Sequence, residues 1–339
     1  MTQRTPQDLF ESPAPQVDTE RALSQIRERI ERERIRPVTL FAKPTGGRWD
    51  NVLSSMWTKT AAGLASIAIA LTLLTVSGVA ETIITLFEPK QVVAVPISAS
   101  DINSVDGFAR FGTLTWSTPP KPYDVTNAAV AAQESGLTVL VPSQLPAGVS
   151  AGSGRFGVLP RTTATFTFNA ETARKSAANV GRTPPPMPAN MDGSKLFITG
   201  GPAVVQYYLD PATPSGGAGT GPLSAMPKLV IAQGKAPVVQ SDGVTVEQLQ
   251  QYLLAQPGIS PSLAAQIRAI KDPSSTLPIP IPVDMASSKP ITVQGVQGVF
   301  VGDSTGLGSA VIWSKDGMVF GVAGTLTEAE ILTVANSLH

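Results

Sequence analysis

The chain of 339 residues contains no cysteine. Disulfides, thiol catalysis and cysteine-based zinc sites are therefore excluded. Histidine is almost as scarce, because His339, the last residue, is the only one. A histidine-assisted serine or aspartate triad would have to draw its base from that terminal residue, and a site with several histidine ligands cannot form. The 25 basic residues are matched by 25 acidic ones, so no net positive charge points to a nucleic-acid partner. Charged residues make up only 15% of the chain and hydrophobic ones 42%, enough apolar material for one sizeable core or two.

The longest uncharged run is Thr60 to Ala80, TAAGLASIAIALTLLTVSGVA, closed by Lys59 and Glu81. As a helix its 21 residues would extend about 31 Å, the thickness of a bilayer's hydrocarbon core. Nearly sixty residues, mostly polar, come before it, far more than the basic leader of a secretion signal. The expectation is one uncleaved membrane span, 59–87 with its core at 60–80, ETIITLF (81–87) continuing the helix until Pro89. Lys43, Arg48 and Lys59 lie before the span, and only Lys90 follows it before Arg110. The positive-inside bias then places the N-terminus in the cytoplasm and residues from about 88 onward outside.

The expected cytoplasmic tail is 1–58. Its first residues are polar and proline-containing, and a charged helix is expected at about 18–36, capped by Asp18 or Thr19 and ended by Pro37. Its thin apolar stripe includes Leu23, Ile26 and Ile30. These three are the candidate partner-binding residues if the helix docks in a groove. A solvated helix that merely spaces the anchor is the alternative.

Residues 88–125 read as an extracytoplasmic linker and entry to the domain, and 126–339 as the extracytoplasmic α+β domain. Strand-like runs occur at 137–141, 163–168, 195–199, 203–209, 228–233, 296–302, 309–313 and 318–324. Helices are expected at TNAAVAAQESG, ending at Gly136; at TVEQLQQYLLAQPG, with Thr245 and Gln248 as a capping box; at SPSLAAQIRAIK, with Ser260 as cap and Pro261 in the first turn; and at TLTEAEILTVANSL, with Thr325 and Glu328 as a second box. Strands and helices mix without regular alternation. The expected class is α+β: a mostly antiparallel extracytoplasmic sheet covered by a few helices, preceded by one transmembrane helix and a short cytoplasmic one. TPPPMP (183–188) suits a polyproline connector, and PATPSGGAGTGPLSAMP (211–227) a flexible loop.

Catalytic motifs find little support. GDSTGLG (302–308) resembles the nucleophile block of one lipase class, but no histidine base follows except His339. As a phosphate loop it lacks the Gly-Lys-Ser/Thr ending, and GGAGTG (216–221) lacks a following helix. Serine and lysine adjoin at 194–195, 288–289 and 314–315, yet neighbours on a strand point to opposite faces. Asp192-Gly193, Asp242-Gly243 and Asp316-Gly317 read as turns before they read as acids. Trp116, Trp313, Tyr207 and Tyr208 could line a pocket, although packing is the commoner fate of strand aromatics. The sequence calls for no catalytic residue, metal or cofactor.

Two blocks carry a family resemblance. SAVIWSKDGMVFGVAGTLTEAEILTVANSL, with Trp313, Gly317, Gly324 and the closing ANSL, and AAQESGLTVLVPSQLPAGV, with Leu145, Pro146 and Gly148, resemble a bacterial domain of unknown function found on the outer side of single-pass, anti-sigma-factor-like membrane proteins. The blocks lie at opposite ends of the outer domain and leave 150–290 uncovered. The resemblance implies an outer domain, one span and a short inner segment that holds a sigma factor. The chain departs from the zinc-type anti-sigma pattern, having no cysteine and no inner histidine. The expected function is thus a non-enzymatic membrane regulator or sensor whose partners are the bilayer through 60–80, a cytoplasmic sigma factor and an extracytoplasmic ligand, with no nucleic acid. The alternative is an anchored lipid- or glycan-binding module resembling lipoprotein carriers, with an inert tail. An anchored hydrolase using Ser304 ranks last.

Overall fold

The computed structural model describes residues 83–98, 108–208 and 227–339, apart from 180, 258, 305 and 307. The described part is α+β, and nearly all of its strand pairs are antiparallel. The expected span core at 60–80, the helix at 18–36 and its residues Leu23, Ile26 and Ile30 lie outside the described residues. Among those described, no helix is long and apolar enough to cross a membrane.

A five-stranded antiparallel sheet runs in the order β1 (Ile84–Phe87), β10 (Val238–Ser241), β7 (Lys195–Gly200), β6 (Thr162–Phe168), β3 (Gly112–Thr118). An eight-stranded antiparallel sheet runs β12 (Ala286–Val293), β13 (Val296–Asp303), β14 (Ser309–Lys315), β15 (Met318–Gly324), β9 (Leu229–Lys235), β8 (Ala203–Tyr208), β5 (Gly154–Leu159), β4 (Tyr123–Val125). Among the described residues, the one parallel pair joins β2 (Gln91–Ile97) to β11 (Thr276–Pro282). Five α-helices are described: α1 (Ala128–Ser135), α2 (Ala170–Ala178), α3 (Val246–Leu254), α4 (Pro261–Ala269) and α5 (Glu328–Asn336).

Apolar alternation sets the faces. In β6, Thr162, Ala164, Phe166 and Phe168 are buried while the residues between them are half-buried. That inner face meets Leu86, Phe87, Met191 and Leu196, the β2 residues Val92 and Val95, Leu249 of α3 and Ile267 of α4 in the largest apolar cluster. Val299 of the eight-stranded sheet belongs to the same cluster. The sheet's opposite face carries Tyr208, Ile231, Val311, Trp313 and Phe320, covered by Ile331, Val334 and Ala335 of α5. Trp313 stacks on Phe320, ring centroids 5.2 Å apart, and lies opposite Gly298.

Local signals explain the element ends. Asn127 caps α1, and Gly136 closes it in a left-handed conformation at φ +68°. Thr245 and Gln248 form the expected capping box, and Ser260 caps α4 with Pro261 in its first turn. Asp316 and Gly317 both have positive φ, 53° and 71°, as a two-residue hairpin turn requires.

Several expectations need correction. Residues 84–87 do not extend a helix. They form β1, in which Leu86 and Phe87 are fully buried; Ile84 and Thr85 are β-branched and side with a sheet once β10 offers partners. Residues 88–125 are not a simple linker, because β2, β3 and β4 all come from them. The run 137–141 is not a strand of either sheet; it lies extended across the eight-stranded sheet, touching the C-terminus through Val141 and His339. The capping box of α5 is Thr327 with Glu330, two residues later than Thr325 with Glu328. Its buried face is accordingly Ile331, Val334 and Ala335, with Ala329 exposed and Leu332 half-buried.

Candidate functional site

GDSTGLG is a hairpin connection. β13 ends at Asp303, whose N–H donates to the Gly308 carbonyl at 3.0 Å, while the Ser304 N–H donates to the Met285 carbonyl at 2.8 Å. Gly306 supplies the positive φ of the bend, +71°. Ser304 is exposed, and its hydroxyl has no hydrogen-bond partner among the described residues. His339 is occupied elsewhere: two backbone bonds tie it to Val141, and its Nδ1 lies 3.2 Å from the Ser337 carbonyl. A serine without a base is a weak nucleophile, so the loop has the geometry of a turn.

Of the six serine–lysine neighbours, four side chains are engaged elsewhere. Ser194 donates to the Met191 carbonyl at 2.8 Å and Ser314 to that of Met318 at 3.1 Å. Lys315 donates to the Gln294 carbonyl, and Lys289 pairs with Glu328 at 2.8 Å. No group of three or more potential metal ligands gathers among the described residues. GGAGTG (216–221) lies outside them.

Of the four aromatics singled out in the sequence, Tyr208 and Trp313 share the cluster under α5, while Tyr207 and Trp116 do not belong to it. Trp313 is fully buried, its indole Nε1 without a partner, so it serves packing. Tyr207 and Tyr208 are adjacent on β8 and face opposite ways: Tyr208 joins the α5-side cluster, while the Tyr207 hydroxyl donates to Asp124 Oδ1 at 3.3 Å. Burial, then the Asp124 carboxylate, pushes the Tyr207 hydroxyl up to about 12. A phenol held so firmly neutral is a fixed donor and no acid–base catalyst near neutral pH. Trp116 is 39% exposed, at the edge of the five-stranded sheet.

Two surface features could hold a partner. One is a groove of about 300 Å³ lined by Gln250, Gln251, Leu254 and Ala255 of the α3 end and Arg268 of α4. Its lining combines two amides and a guanidinium with the apolar Leu254 and Ala255. The other is the rim of β3, where Leu114 and Trp116 stand on the face shared with the buried Phe166 and Ala164, yet are 42% and 39% exposed. Sequence reasoning missed both. α3 and α4 were legible, but not that their ends would flank a hollow. TLTWST carries the alternation of a strand, but nothing in it says that the strand is outermost.

No catalytic constellation is assembled among the described residues. Compared with known proteins, the chain matches no protein-family model and no curated relative.

Proposed function

We propose that the chain is a single-pass, membrane-anchored regulatory or sensor protein, anti-sigma-factor-like, with a non-enzymatic extracytoplasmic domain. The observation that carries this reading is the short distance between anchor and fold. The uncharged run ends at Ala80, β1 begins at Ile84, and only residues 81 to 83 lie between. A module that needs only to be tethered tolerates a flexible linker. Here a change in the sheet edge would pull directly on the span, which suits transmission of a signal. Leu23, Ile26 and Ile30 would present the apolar stripe to a sigma factor inside the cell.

The test purifies the full chain from membranes and asks whether a sigma factor comes with it. Deleting Thr19 to Arg36 should remove that partner and change transcription. Absence of any sigma factor, together with unchanged transcripts, overturns the reading. Inserting a Gly-Ser stretch after residue 82 should uncouple the response while leaving the domain folded.

A second reading, an anchored glycan-binding module with an inert tail, draws on the α3–α4 groove. Amides and a guanidinium in one lining with Leu254 and Ala255 suit sugar hydroxyl and acetamido groups. Titration with soluble glycan fragments, compared between the parent and Arg268→Ala, tests it; equal binding or none removes it. A lipid carrier is less well supported, because Phe166, Phe168, Met191 and Leu249 fill the space beneath the five-stranded sheet.

A further inference from the structure

Resting on the membrane-anchor reading, we infer that one end of the five-stranded sheet, built from the turns 188–195 and 242–245, is the face of this domain that stands on lipid headgroups, with the Lys195 ammonium against lipid phosphate. Strand direction fixes which end this is. β1 leads away from the uncharged run that ends at Ala80, so Ile84 is its residue nearest the span. Ile84 lies opposite Ser241 of β10, and Ser241 opposite Leu196 of β7. β10 runs back towards the span and β7 starts out from it, so Asp242 and Lys195 each lie one residue beyond Ile84 on the membrane side. The distance is short. From Ala80 to Ile84 the chain reaches at most about 14 Å, and the headgroup layer takes up about 5–7 Å of that. One residue of strand covers about 3 Å more, which leaves Lys195 within about 6 Å of the headgroups, the reach of its own side chain.

The two turns form a firm surface. Asp242 accepts the Lys195 N–H at 2.7 Å, and Asp192 accepts the Ala170 N–H at 2.9 Å. Asn190 joins the turns by donating to the Gly243 carbonyl at 3.3 Å, and the Gly193 N–H donates to the Phe168 carbonyl at 3.0 Å. Asp192, Gly193, Lys195, Asp242 and Gly243 are all exposed. The larger apolar residues of the turns, Met191 and Val244, are fully buried, so this surface rests on headgroups and does not enter the hydrocarbon. Its signs fit a zwitterionic lipid. Lys195 is the only cation of the two turns, and its ammonium has no partner among the described residues. Asp192 and Asp242 add two carboxylates. Lipid phosphate accepts from Lys195, and lipid ammonium groups meet the carboxylates. A purely anionic surface would instead meet two carboxylates for one ammonium.

The cysteine-free sequence allows single labels to test this on the full chain, reconstituted in vesicles of phosphatidylethanolamine and phosphatidylcholine that carry a nitroxide on some headgroups. A fluorophore at Ala189→Cys, in the first turn, should be quenched at least about threefold more than one at Lys235→Cys, because Lys235 precedes β10 at its far end and about 10 Å of strand separates the two levels. Adding Lys195→Gln to Ala189→Cys should weaken the quenching about two- to fivefold, the factor of one exposed ion pair. Adding Lys235→Gln instead should leave it unchanged. Equal quenching at 189 and 235, or quenching at 189 indifferent to Lys195→Gln, overturns the inference with the anchor still in place. A chain that alkaline carbonate strips from the vesicles refutes the anchor reading itself, and the inference with it, so the two failures are told apart. Circular dichroism of each variant confirms that lost quenching does not come from unfolding.

Discussion

The side-chain amides of Gln206 and Gln233, diagonal neighbours on β8 and β9, both donate to the carbonyl of Leu140, at 2.6 and 2.9 Å. The Gln233 carbonyl accepts the Leu140 N–H in return, at 2.9 Å. Both glutamines are fully buried. They give the extended run 137–141 the hydrogen bonds that a neighbouring strand would otherwise supply.

Gln233→Ala should remove its own two bonds to Leu140, leaving the one from Gln206, and cost about 1–3 kcal/mol of stability. Hydrogen exchange at Leu140 should accelerate, while amides in β14 and β15 change little. Exchange at Leu140 equal to the parent would show that the clamp does not hold the segment.

Gly298 permits the close approach of Trp313. A Cβ there would stand 2.7 Å from the Ile312 carbonyl oxygen and 3.1 Å from the Trp313 Cβ. Backbone on one side and a stacked indole on the other leave little room to yield. Gly298→Ala should lower stability by about 1–3 kcal/mol, read as a shifted denaturant midpoint. Trp313→Ala should cost more, about 3–5 kcal/mol.

Tyr207 makes the fold sensitive to alkali. Its hydroxyl is pushed up to about 12 in the folded chain, against about 10 when unfolded. The folded state thus favours the neutral phenol. That contribution is complete below pH 10 and is lost as pH rises from about 10 towards 12. Tyr207→Phe should be nearly neutral at pH 7 and should flatten part of the alkaline fall in stability. An unchanged alkaline limb in chemical denaturation would remove Tyr207 as its source.

Asp272 acts at the other end of the scale. Hydroxyl donation from Ser275 at 2.6 Å and Ser274 at 2.8 Å holds its carboxyl below the usual range. Its contribution is present above the unfolded value of about 3.9 and is lost as pH falls through the depressed folded value. Asp272→Asn should reduce this acid dependence, with a loss at pH 7 of no more than about 1 kcal/mol because the group is exposed. An acid limb identical to the parent's would refute it.

The legible parts of the fold are those whose physics is local. Asp316-Gly317, Gly136, Thr245 with Gln248, and Ser260 with Pro261 satisfy their own turns and caps, and they stand where the sequence places them. The less legible parts depend on distant partners. TLPIPIP (276–282) reads poorly as a strand because of Pro278, Pro280 and Pro282. In a parallel pair only alternate residues bond to a given neighbour, so Leu277, Ile279 and Ile281 are free to bond to β2. Proline at every second position was the available signal. Apolar alternation in 137–141 suggested a strand, and only Gln206 and Gln233 decide otherwise. The sequence also shows that Ser304 lacks a base, whereas the exposure of Leu114 and Trp116 follows from strand order, which no local pattern encodes.

β1 and β2 find their partners late in the chain. β1 pairs with Val239 to Ser241, and β2 lies along Thr276 to Pro282, where the Gln91 amide donates to Thr276 Oγ1 across 185 positions. During synthesis the first two strands must wait, with Leu86, Phe87, Val92 and Val95 uncovered, until most of the chain has emerged. Such long-range closure slows folding. The stretch that begins the domain is among the last parts of it to be completed, and a truncated product would present these apolar residues to whatever chaperone surveys the nascent chain.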